Sequence, residues 1–344
     1  MSILIGAPAS LILAIFMLLS PPQVDKCKCG LYPVTVAGRT GFANVTGDLV
    51  IPGKFDTARG FSEELAAVLV DGSWGFIDTK GQLIIQPIFE DASSFSNGYA
   101  AVKQGEKWGY VDASGRMVIA TQFDAADDFS EGVAWVVPEG VVSYENTSGK
   151  RALIDKRGNV IISPQFEAAK SFQEGLASVK VGRKWTFVDQ GGNQISNPKW
   201  DWAKSFSQHL APVGVKGKAG YINQSGQVEI KPTYEDAEPF SEGMAAVRIN
   251  GLWGFIDRNA KVVIKPGFVE ASSFTSGLAL VKFPPKGANV GGTWGYISTK
   301  GETVIGSEFE RATNFSCGIA MVRANGKWSY IDRQGRALAR IGPQ

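Results

Sequence analysis

The sequence lacks most of the residues that catalysis and metal binding use in clusters. It holds one histidine and three cysteines in 344 residues. A single histidine, His209, excludes a paired-histidine metal site, and Cys27 and Cys29 in C-x-C spacing supply too few ligands for zinc. There is no nucleophile elbow, phosphate loop or dinucleotide fingerprint. These absences predict a chain that holds no metal or cofactor and is not an enzyme.

The sequence also lacks an excess of charge of either sign. It carries 35 basic and 33 acidic residues, interspersed, for a net charge of +2. Such a balance offers no field for nucleic acid or for an anionic membrane surface. Hydrophobic residues make up 44% of the chain, which is enough to bury a core. With 41 glycines and 20 phenylalanines, the composition favours short strands joined by tight turns.

The N-terminus differs from the rest of the chain. Residues 3–19 form a run of 17 apolar or small residues, and the first charge is Asp25. We predict that residues 1–22 are a signal peptide or an uncleaved membrane anchor, with a buried strand or a misassigned start as alternatives. Lys26 and Lys28 follow the run instead of preceding it, which is unusual for an export signal. The segment predicts an exported or envelope-associated protein that meets a membrane only here; a cytoplasmic location is the alternative.

Residues 23–340 form one domain of nine units with a spacing of about 34 residues. Each unit begins at an equivalent position, occupied by Gly30, Glu64, Gly98, Gly132, Gly175, His209, Gly243, Gly277 and Gly318. In the third unit, residues 99–103 and 108–112 alternate with a period of two, which predicts a β-hairpin. Gly109, inside the second strand, predicts the close approach of a neighbouring unit. His209 occupies a position held mainly by glycine, so we interpret it as a turn variant.

Two further columns of residues recur in nearly every unit. An Asp or Asn, such as Asp112, opens a turn that closes with a glycine three residues later, such as Gly115. This spacing predicts an Asx turn; one carboxylate per turn is too few oxygen ligands for calcium.

The acidic residues of the F-S-E-G segment, Glu63, Glu131 and Glu242, are interpreted as solvated loop charges. We interpret all three cysteines as core or surface thiols.

The segment that returns to the next unit shows a three-residue period. An aromatic residue is followed by alanine and then by phenylalanine, as in Tyr234, Ala237 and Phe240. Side chains at i, i+3 and i+6 share a face of a 3₁₀ or helical turn, which the period predicts here. Alanine recurs eight times at the middle position, so we expect no room there for a larger side chain.

These patterns resemble the WG (KWG) β-repeat family. The string K-W-G-Y-V-D at residues 107–112 and the pattern I-x-P-x-F-E-x-A-x-x-F-x-x-G carry the resemblance, which extends over residues 30–339. At the position of the Trp-Gly pair, tryptophan is present in six units, and glycine follows it in four. Residues 39–40, 151–152 and 218–219 lack the pair. The resemblance implies tandem β-repeats, common in bacterial proteins, and no activity general to the family.

We therefore predict an all-β tandem array of β-hairpin repeats. An open, superhelical, solenoid-like array is favoured over a closed, propeller-like ring, because nine units exceed the four to eight blades usual in propellers. Insertions at residues 138–149 and 283–292 enter between the first and second strands of units four and eight. With about four units per superhelical turn, the two loops would lie one above the other.

Four aromatic residues are candidate contacts for a ligand or partner: Trp135, Tyr144, Trp202 and Phe283. Trp135 replaces the alanine of a first strand, and Trp202 departs from the repeat beside the core aromatic Trp200. We predict a non-catalytic scaffold that binds protein partners, because arrays offer extended modular faces. The alternative is a cell-envelope module that binds polysaccharide through exposed aromatic residues. A third hypothesis is a hydrolase with paired carboxylates between repeats.

Overall fold

The computed structural model describes residues 30–141, 149–285 and 292–338. These residues form 32 β-strands and no helix, so they contain no helical membrane span. In chain order the strands are β1 (Leu31–Val36), β2 (Arg39–Asn44), β3 (Leu49–Phe55), β4 (Thr57–Ala58), β5 (Ala66–Val70), β6 (Ser73–Ile77), β7 (Leu83–Phe89), β8 (Asp91–Ala92), β9 (Tyr99–Gln104), β10 (Lys107–Asp112), β11 (Met117–Ala126), β12 (Val133–Pro138), β13 (Arg151–Asp155), β14 (Val160–Phe166), β15 (Ala168–Ala169), β16 (Leu176–Val181), β17 (Lys184–Asp189), β18 (Trp202–Ala203), β19 (Leu210–Val215), β20 (Lys218–Asn223), β21 (Val228–Tyr234), β22 (Asp236–Ala237), β23 (Met244–Ile249), β24 (Leu252–Asp257), β25 (Val262–Phe268), β26 (Glu270–Ala271), β27 (Leu278–Phe283), β28 (Thr293–Ser298), β29 (Thr303–Phe309), β30 (Arg311–Ala312), β31 (Ile319–Ala324) and β32 (Lys327–Asp332).

Each regular unit is a small antiparallel sheet of four strands. In unit two the order is β4-β5-β6-β7, which we call the short, first, second and third strands. Units three and four share one seven-stranded sheet, because β11 continues without a break from the third strand of one into the short strand of the next. The prediction of an all-β tandem array of hairpin units is confirmed.

The Trp-Gly pair of the second strand lies where the third strand bends towards it. A Cβ built on Gly109 would lie 2.5 Å from the carbonyl oxygen of Ile119. The register between β10 and β11 shifts at this point, so the bulged third strand crosses close to the second. The glycine therefore admits the backbone of its own unit, which corrects the prediction that a neighbouring unit approaches there.

The turn after the second strand is the predicted Asx turn. In unit two, Asp78 Oδ1 accepts hydrogen bonds from the backbone N–H groups of Lys80 at 3.0 Å and Gln82 at 2.8 Å. In unit three the Ser114 hydroxyl group holds the pKa of the equivalent Asp112 below its ordinary value. Each carboxylate is committed to its own turn, so the interpretation of the Asp column as structural is confirmed.

The return segment is extended, and the prediction of a 3₁₀ or helical turn is wrong. Its alanines lie in two-residue strands, such as β22, where Ala237 pairs with Val247 of the first strand. Ala237 is fully buried, whereas the equivalent Ala271 is half-buried. The aromatic residues on either side are buried in most units. The three-residue period therefore reflects an irregular extended segment that repeatedly directs side chains into the core.

Neighbouring units pack through their aromatic residues. Tyr110 of the second strand in unit three contacts Phe129, which precedes the first strand of unit four, with ring centroids 4.8 Å apart. The Tyr110 hydroxyl group also donates a hydrogen bond of 2.7 Å to the carbonyl oxygen of Asp127. The same ring pair recurs with similar separation at most other interfaces, for example between Phe76 and Phe95.

The last unit packs against the first in the same way. The rings of Tyr330 and Tyr32 lie 4.5 Å apart, and the Tyr330 hydroxyl group donates to the carbonyl oxygen of Pro33 at 2.9 Å. Val34 and Ile319 belong to one buried cluster with Tyr32. These contacts fit the ring-shaped alternative, although the sequence favoured an open array. Among the described strands, none of unit one pairs with a strand of unit nine, so the described parts of the two ends meet through side-chain packing. The number of strands in the sequence does not reveal such a contact.

The short strands lie towards the middle of this ring. Segments that follow the short strands of units two, three, four and nine line one cavity of about 580 Å³, together with the start of unit one. Phe61, Phe95, Asp128, Asn314 and Tyr32 are among its lining residues. The third strand, at the opposite edge of each sheet, is therefore the outer strand of the ring.

Candidate interaction surface

Trp135 is a core residue. Its side chain is 1% exposed, its ring stacks on Phe172, and its indole N–H donates to the carbonyl oxygen of Lys170 at 3.0 Å. It pairs across the strands with Leu153, which holds the position that an aromatic residue holds in other units. This corrects the prediction of a contact residue, because a side chain enclosed on every side offers no surface to a ligand.

Trp202 is half-buried and also fills a gap in the repeat. Its indole ring lies directly over Gly214, where a Cβ would come within 2.1 Å of Nε1. Gly214 pairs with Ala219, which stands where four regular units have the tryptophan of the Trp-Gly pair. The Lys204 ammonium group lies 5.5 Å from the centre of the ring. Trp202 thus supplies from the short strand the bulk that Ala219 lacks in the second strand.

The remaining two candidate contacts flank or lie within the insertions. Phe283 ends β27, is half-buried, and packs edge-to-face on Phe268 with centroids 5.5 Å apart. Tyr144 lies outside the described residues. Both insertions do enter between first and second strands, as predicted. Units four and eight are nearly opposite each other in a ring of nine, which removes the hypothesis that the two loops lie one above the other.

The acidic residues of the F-S-E-G segment bridge neighbouring units. Glu63 Oε2 accepts the backbone N–H of Gly98 at 2.8 Å, and Glu131 Oε2 accepts that of Gly175 at 2.9 Å. Glu242 makes the same contact with Gly277. All three residues are exposed, as expected of solvated loop charges, and their carboxylates also accept hydrogen bonds from the backbone of the next unit, which the sequence did not predict. In the described ranges, no group of three or more acidic, histidine or cysteine side chains is arranged to hold a metal ion.

His209 and Cys317 occupy repeat positions. The φ angle of His209 is +66°, and its backbone N–H donates to Glu174 Oε2 at 2.8 Å, which fits the interpretation as a turn variant. Cys317 is disulfide-bonded. This corrects its interpretation as a simple thiol.

Exposed aliphatic side chains concentrate at the outer strand of the ring. In the part of the chain that the structure describes, the exposed large hydrophobic residues lie in third strands or, for one of them, in the turn before. We name this set the aliphatic rim: Val45, Leu49, Val50, Leu83, Ile84, Ile88, Met117, Val160, Ile161, Val228, Val262, Val263 and Val304. Most of them occupy the first two positions of a strand whose third residue points into the core. A row of this kind differs from the isolated exposed apolar residues of ordinary surfaces.

Contacts between units bring adjoining parts of the rim together. Gly81, in the turn of unit two, packs so closely on unit one that a Cβ there would lie 2.9 Å from Ile51 Cγ2. The Lys54 ammonium group of unit one donates to the carbonyl oxygen of Gly81 at 2.9 Å. Val50 precedes Ile51, and Leu83 follows Gly81 by two residues, so the exposed side chains of the two units lie on adjoining surface.

The rim divides into two unequal arcs. Unit five has the exposed Gln194 and the half-buried Ile195 at the rim positions, and unit nine has Ala337 and the half-buried Leu338. Nine of the thirteen exposed residues belong to units one to four, and four to units six to eight. The arc of units one to four is therefore the larger apolar surface.

Proline limits what the rim can bind through its backbone. The third strands of units one, two, four, six and seven each contain one proline, for example Pro87 in β7. Proline has no N–H to offer, and it discourages edge-to-edge pairing with another strand. A molecule that docks on the rim would be recognised mainly by side-chain contact.

A ring of antiparallel sheets with aromatic contacts between units defines an all-β repeat protein. The family described as WG containing repeat matches eight successive segments, at residues 41–74, 74–108, 108–139, 153–185, 185–218, 220–253, 253–283 and 294–328. The chain belongs to this family. Each family repeat runs from the second strand of one sheet into the next sheet, so eight matches correspond to nine units.

Solved structures resemble the chain in fold. A crystal structure of a eukaryotic initiation factor matches with a TM-score of 0.62 and 12% identity, over 91% of this chain and 96% of the other. The apo form of AztD from Citrobacter koseri matches with a TM-score of 0.42 and 10% identity, over 79% and 92%. At these identities the likeness concerns the fold alone. Comparison with curated proteins gives no match.

Proposed function

We propose that the protein is a non-catalytic scaffold that binds a protein partner through the rim arc of units one to four. The observation that carries this proposal is the run of exposed aliphatic side chains on adjoining units, of which Leu83 and Ile84 form the middle. Apolar rows that adjoin one another on a soluble surface mark sites of association. The same strands expose lysine and glutamine between the aliphatic residues, which suits a mixed protein surface.

A protein suits this surface better than a polysaccharide. Sugar-binding sites use exposed aromatic rings and hydrogen bonds, whereas the rim is made of valine, leucine, isoleucine and methionine. The two tryptophans that would serve the carbohydrate alternative are engaged elsewhere: Trp135 is buried, and Trp202 packs over Gly214. Aliphatic side chains gain most from contact with other apolar side chains.

The proposal has two further parts. The protein is not an enzyme, and it is exported from the cytoplasm. The carboxylates that stand between units, such as Glu131, accept backbone N–H groups and are already used in holding the ring. The apolar run at residues 3–19 supports export or attachment to the cell envelope. Polysaccharide stays the alternative ligand that the experiment must separate from a protein.

The experiment is an affinity capture from native cell extract with the exported full-length chain as bait. Three forms of bait are compared: the wild type, L83S/I84S, and the matched control V262S/V263S. The two pairs stand at the same positions of their strands and have exposures of 41% and 43% against 42% and 44%. We expect L83S/I84S to lose at least tenfold of the captured partner and V262S/V263S to retain it.

Two further comparisons decide the class of partner. Half of each extract is treated with a protease before capture, and the bound material is analysed for protein and for sugar. A partner that vanishes after the treatment supports the proposal. Undiminished capture by L83S/I84S would place the contact away from units one to four, and equal loss in both variants would show that it is not confined to them. Sugar retained in both halves would establish the carbohydrate alternative. Free energies of unfolding within about 1 kcal/mol of the wild-type value verify that both variants fold.

A further inference from the structure

A recurring ion pair lies at the start of the second strand in several units. In units one, three and five this strand begins with a basic residue, which pairs with the aspartate that follows the third strand of the same sheet. The pairs are Arg39 with Asp56, Lys107 with Asp124, and Lys184 with Asp201. In these units the charge of the basic side chain is balanced within its own sheet.

Unit six uses the same two positions differently. Lys218 begins β20, and Glu235 stands at the position of the aspartate. The longer side chain of Glu235 reaches unit seven: its Oε2 accepts the backbone N–H of Gly251 at 2.9 Å and lies 3.7 Å from Nε of Arg248. Lys218 is exposed and forms no ion pair within the described ranges. It is a cation that its own sheet leaves unbalanced.

A pocket of about 280 Å³ opens beside this cation. It lies between the second and third strands of unit six and the turn between the first and second strands of unit seven. Its lining includes Lys218, Tyr234, Glu235, Arg248 and Asn250. We call it the unit-six pocket. Two cationic side chains and one carboxylate therefore border the same small space.

Most polar groups of the unit-six pocket are hydrogen-bond donors. Arg248 Nε donates to the carbonyl oxygen of Gly251 at 3.2 Å, while its two terminal nitrogens have no partner in the part of the chain that the structure describes. Tyr234 stands where other units have phenylalanine or tryptophan, and it adds a hydroxyl group. Guanidinium, ammonium and hydroxyl donors together suit an anionic oxygen acceptor.

Neighbouring turns add positive charge on the same face of the ring. Arg183 lies in the turn between the first and second strands of unit five, and Lys216 lies in that of unit six. Both are exposed, and neither forms an ion pair with a described residue. Cations that surround a pocket raise the local concentration of anions. The surroundings of the unit-six pocket therefore favour the same class of ligand as its lining.

We propose that the unit-six pocket binds a carboxylate group between Lys218 and Arg248. The guanidinium group offers a planar pair of N–H donors that matches the two oxygens of a carboxylate, and lysine adds a point charge. Glu235 already places one negative charge at the pocket, so a singly charged carboxylate is repelled less than a doubly charged phosphate.

The carboxylate belongs either to a free small acid or to an acidic side chain of a protein, and the experiment separates these sources. The pocket lies in units six and seven, away from the rim arc of units one to four. The inference is therefore independent of the partner proposed for that arc.

The test is isothermal titration calorimetry of the full-length chain at low salt with three probes: glutarate, a hexaglutamate peptide with blocked ends, and inorganic phosphate. We expect both carboxylate probes to bind more tightly than phosphate. Tighter binding of the peptide than of glutarate assigns the pocket to an acidic protein segment, and the reverse order assigns it to a small acid. A preference for phosphate, or no binding of either carboxylate probe, would overturn the proposal.

A lysine at the equivalent position supplies the matched control. Lys218→Ala should weaken the binding of both carboxylate probes by about tenfold or more, as expected for a lost hydrogen bond to a charged group. Lys107→Ala removes the equivalent lysine of unit three, which is already paired with Asp124 and Glu139, and should bind like the wild type. Equal affinities of the two variants would contradict the assignment to the unit-six pocket.

Substitution of Glu235 gives a result that a folding defect cannot imitate. Glu235→Gln keeps an oxygen acceptor for the N–H of Gly251 but removes the negative charge, so both carboxylate probes should bind several-fold more tightly. Glu235→Asp should weaken binding, because the shorter acid pairs with the basic residue in units one, three and five. A loss of affinity in Glu235→Gln would count against the proposal.

Discussion

Units three and four solve the same packing problem with the large and small side chains exchanged. In unit three, Ala101 on the first strand faces Tyr110 on the second, and in unit four Trp135 faces Leu153. The aromatic group has moved to the partner strand. Its functions have moved with it, because both aromatic groups donate a hydrogen bond to the backbone of the next unit.

The two acceptors of those hydrogen bonds are equivalent. Tyr110 donates to Asp127, the residue after Ala126, and Trp135 donates to Lys170, the residue after Ala169. Each aromatic ring also meets the next phenylalanine of the return segment. The interface thus requires one aromatic donor of suitable reach, and either strand can present it. A departure from the repeat can therefore be a compensation in the core instead of a binding residue.

The largest expected effect comes from truncating the displaced aromatic residue. Trp135→Ala should lower the free energy of unfolding by about 3–5 kcal/mol, because it leaves a cavity and an unpaired carbonyl group at Lys170. Denaturant unfolding measures this. Trp202→Ala is the control: its side chain is half-buried, and we expect a smaller loss. Equal losses would contradict the distinction between a fully buried tryptophan and a half-buried one.

Restoring the arrangement of unit three in unit four should recover part of that loss. The double variant W135A/L153Y places alanine and tyrosine as Ala101 and Tyr110 are placed. We expect it to be more stable than W135A by about 1–3 kcal/mol, an interaction energy typical of side chains in direct contact. If the two substitutions were additive, with L153Y destabilising both backgrounds equally, the exchange of roles between the strands would be disproved.

The alanine of the short strand tests how tightly neighbouring units pack at this position of the repeat. Ala237→Leu should overpack the interface and cost about 1–3 kcal/mol, because Ala237 is fully buried between units six and seven. The same change at Ala271, which is half-buried, should cost less. Thermal and denaturant unfolding of both variants provide the measurement, and an unchanged A237L would refute the tight packing of this column.

The smallest expected effect is a pH dependence of stability. Tyr110 of unit three should cause it, whereas Trp135 of unit four, which has no ionisable side chain, should not. Burial first, and then the carboxylates of Asp127 and Asp128, raise the pKa of Tyr110 above its ordinary value near 10. The folded state therefore holds the phenol proton more tightly than the unfolded state does. That stabilisation is complete below about pH 10 and decreases as the pH rises above it.

Tyr110→Phe measures this contribution. At neutral pH the variant should be less stable by about 1 kcal/mol, the value of one hydrogen bond to the backbone. Above pH 10 the wild type should lose about 1.4 kcal/mol per pH unit more than the variant does, so the difference should shrink and reverse. Unfolding at pH 8 and pH 11 checks both signs, and a difference that stays constant would show that Tyr110 does not titrate as proposed.

Much of the fold was predictable from the sequence because its causes are local. Alternation with a period of two specified the hairpin of residues 99–112, and the Asp-x-x-Gly spacing specified the turn at Asp112. The return segment was mispredicted for an equally local reason: a spacing of three fits a helical turn and an irregular extended segment alike. Only pairing with the next strand, as Ala237 pairs with Val247, separates the two.

Less of the candidate surface was predictable. Tryptophan residues attracted notice as exposed aromatics, yet the burial of Trp135 depends on Leu153 and Phe172, which are brought to it by pairing and by the next unit. The aliphatic rim was present in the sequence as paired aliphatic residues such as Leu83 and Ile84, but short apolar runs of this kind also occur in fully buried strands. Their exposure follows from the position of the third strand at the outer edge of the ring.

The sequence by itself determined the unit: its strands, its turns and its number of copies, all of which depend on residues close together in the chain. The tertiary structure decided what neighbouring units do to one another. Contact between Tyr330 and Tyr32 closes the array, the carboxylate of Glu131 becomes a bridge, and one strand edge is left outside. These outcomes depend on small rotations between successive units, which add up around the ring and which no single repeat encodes.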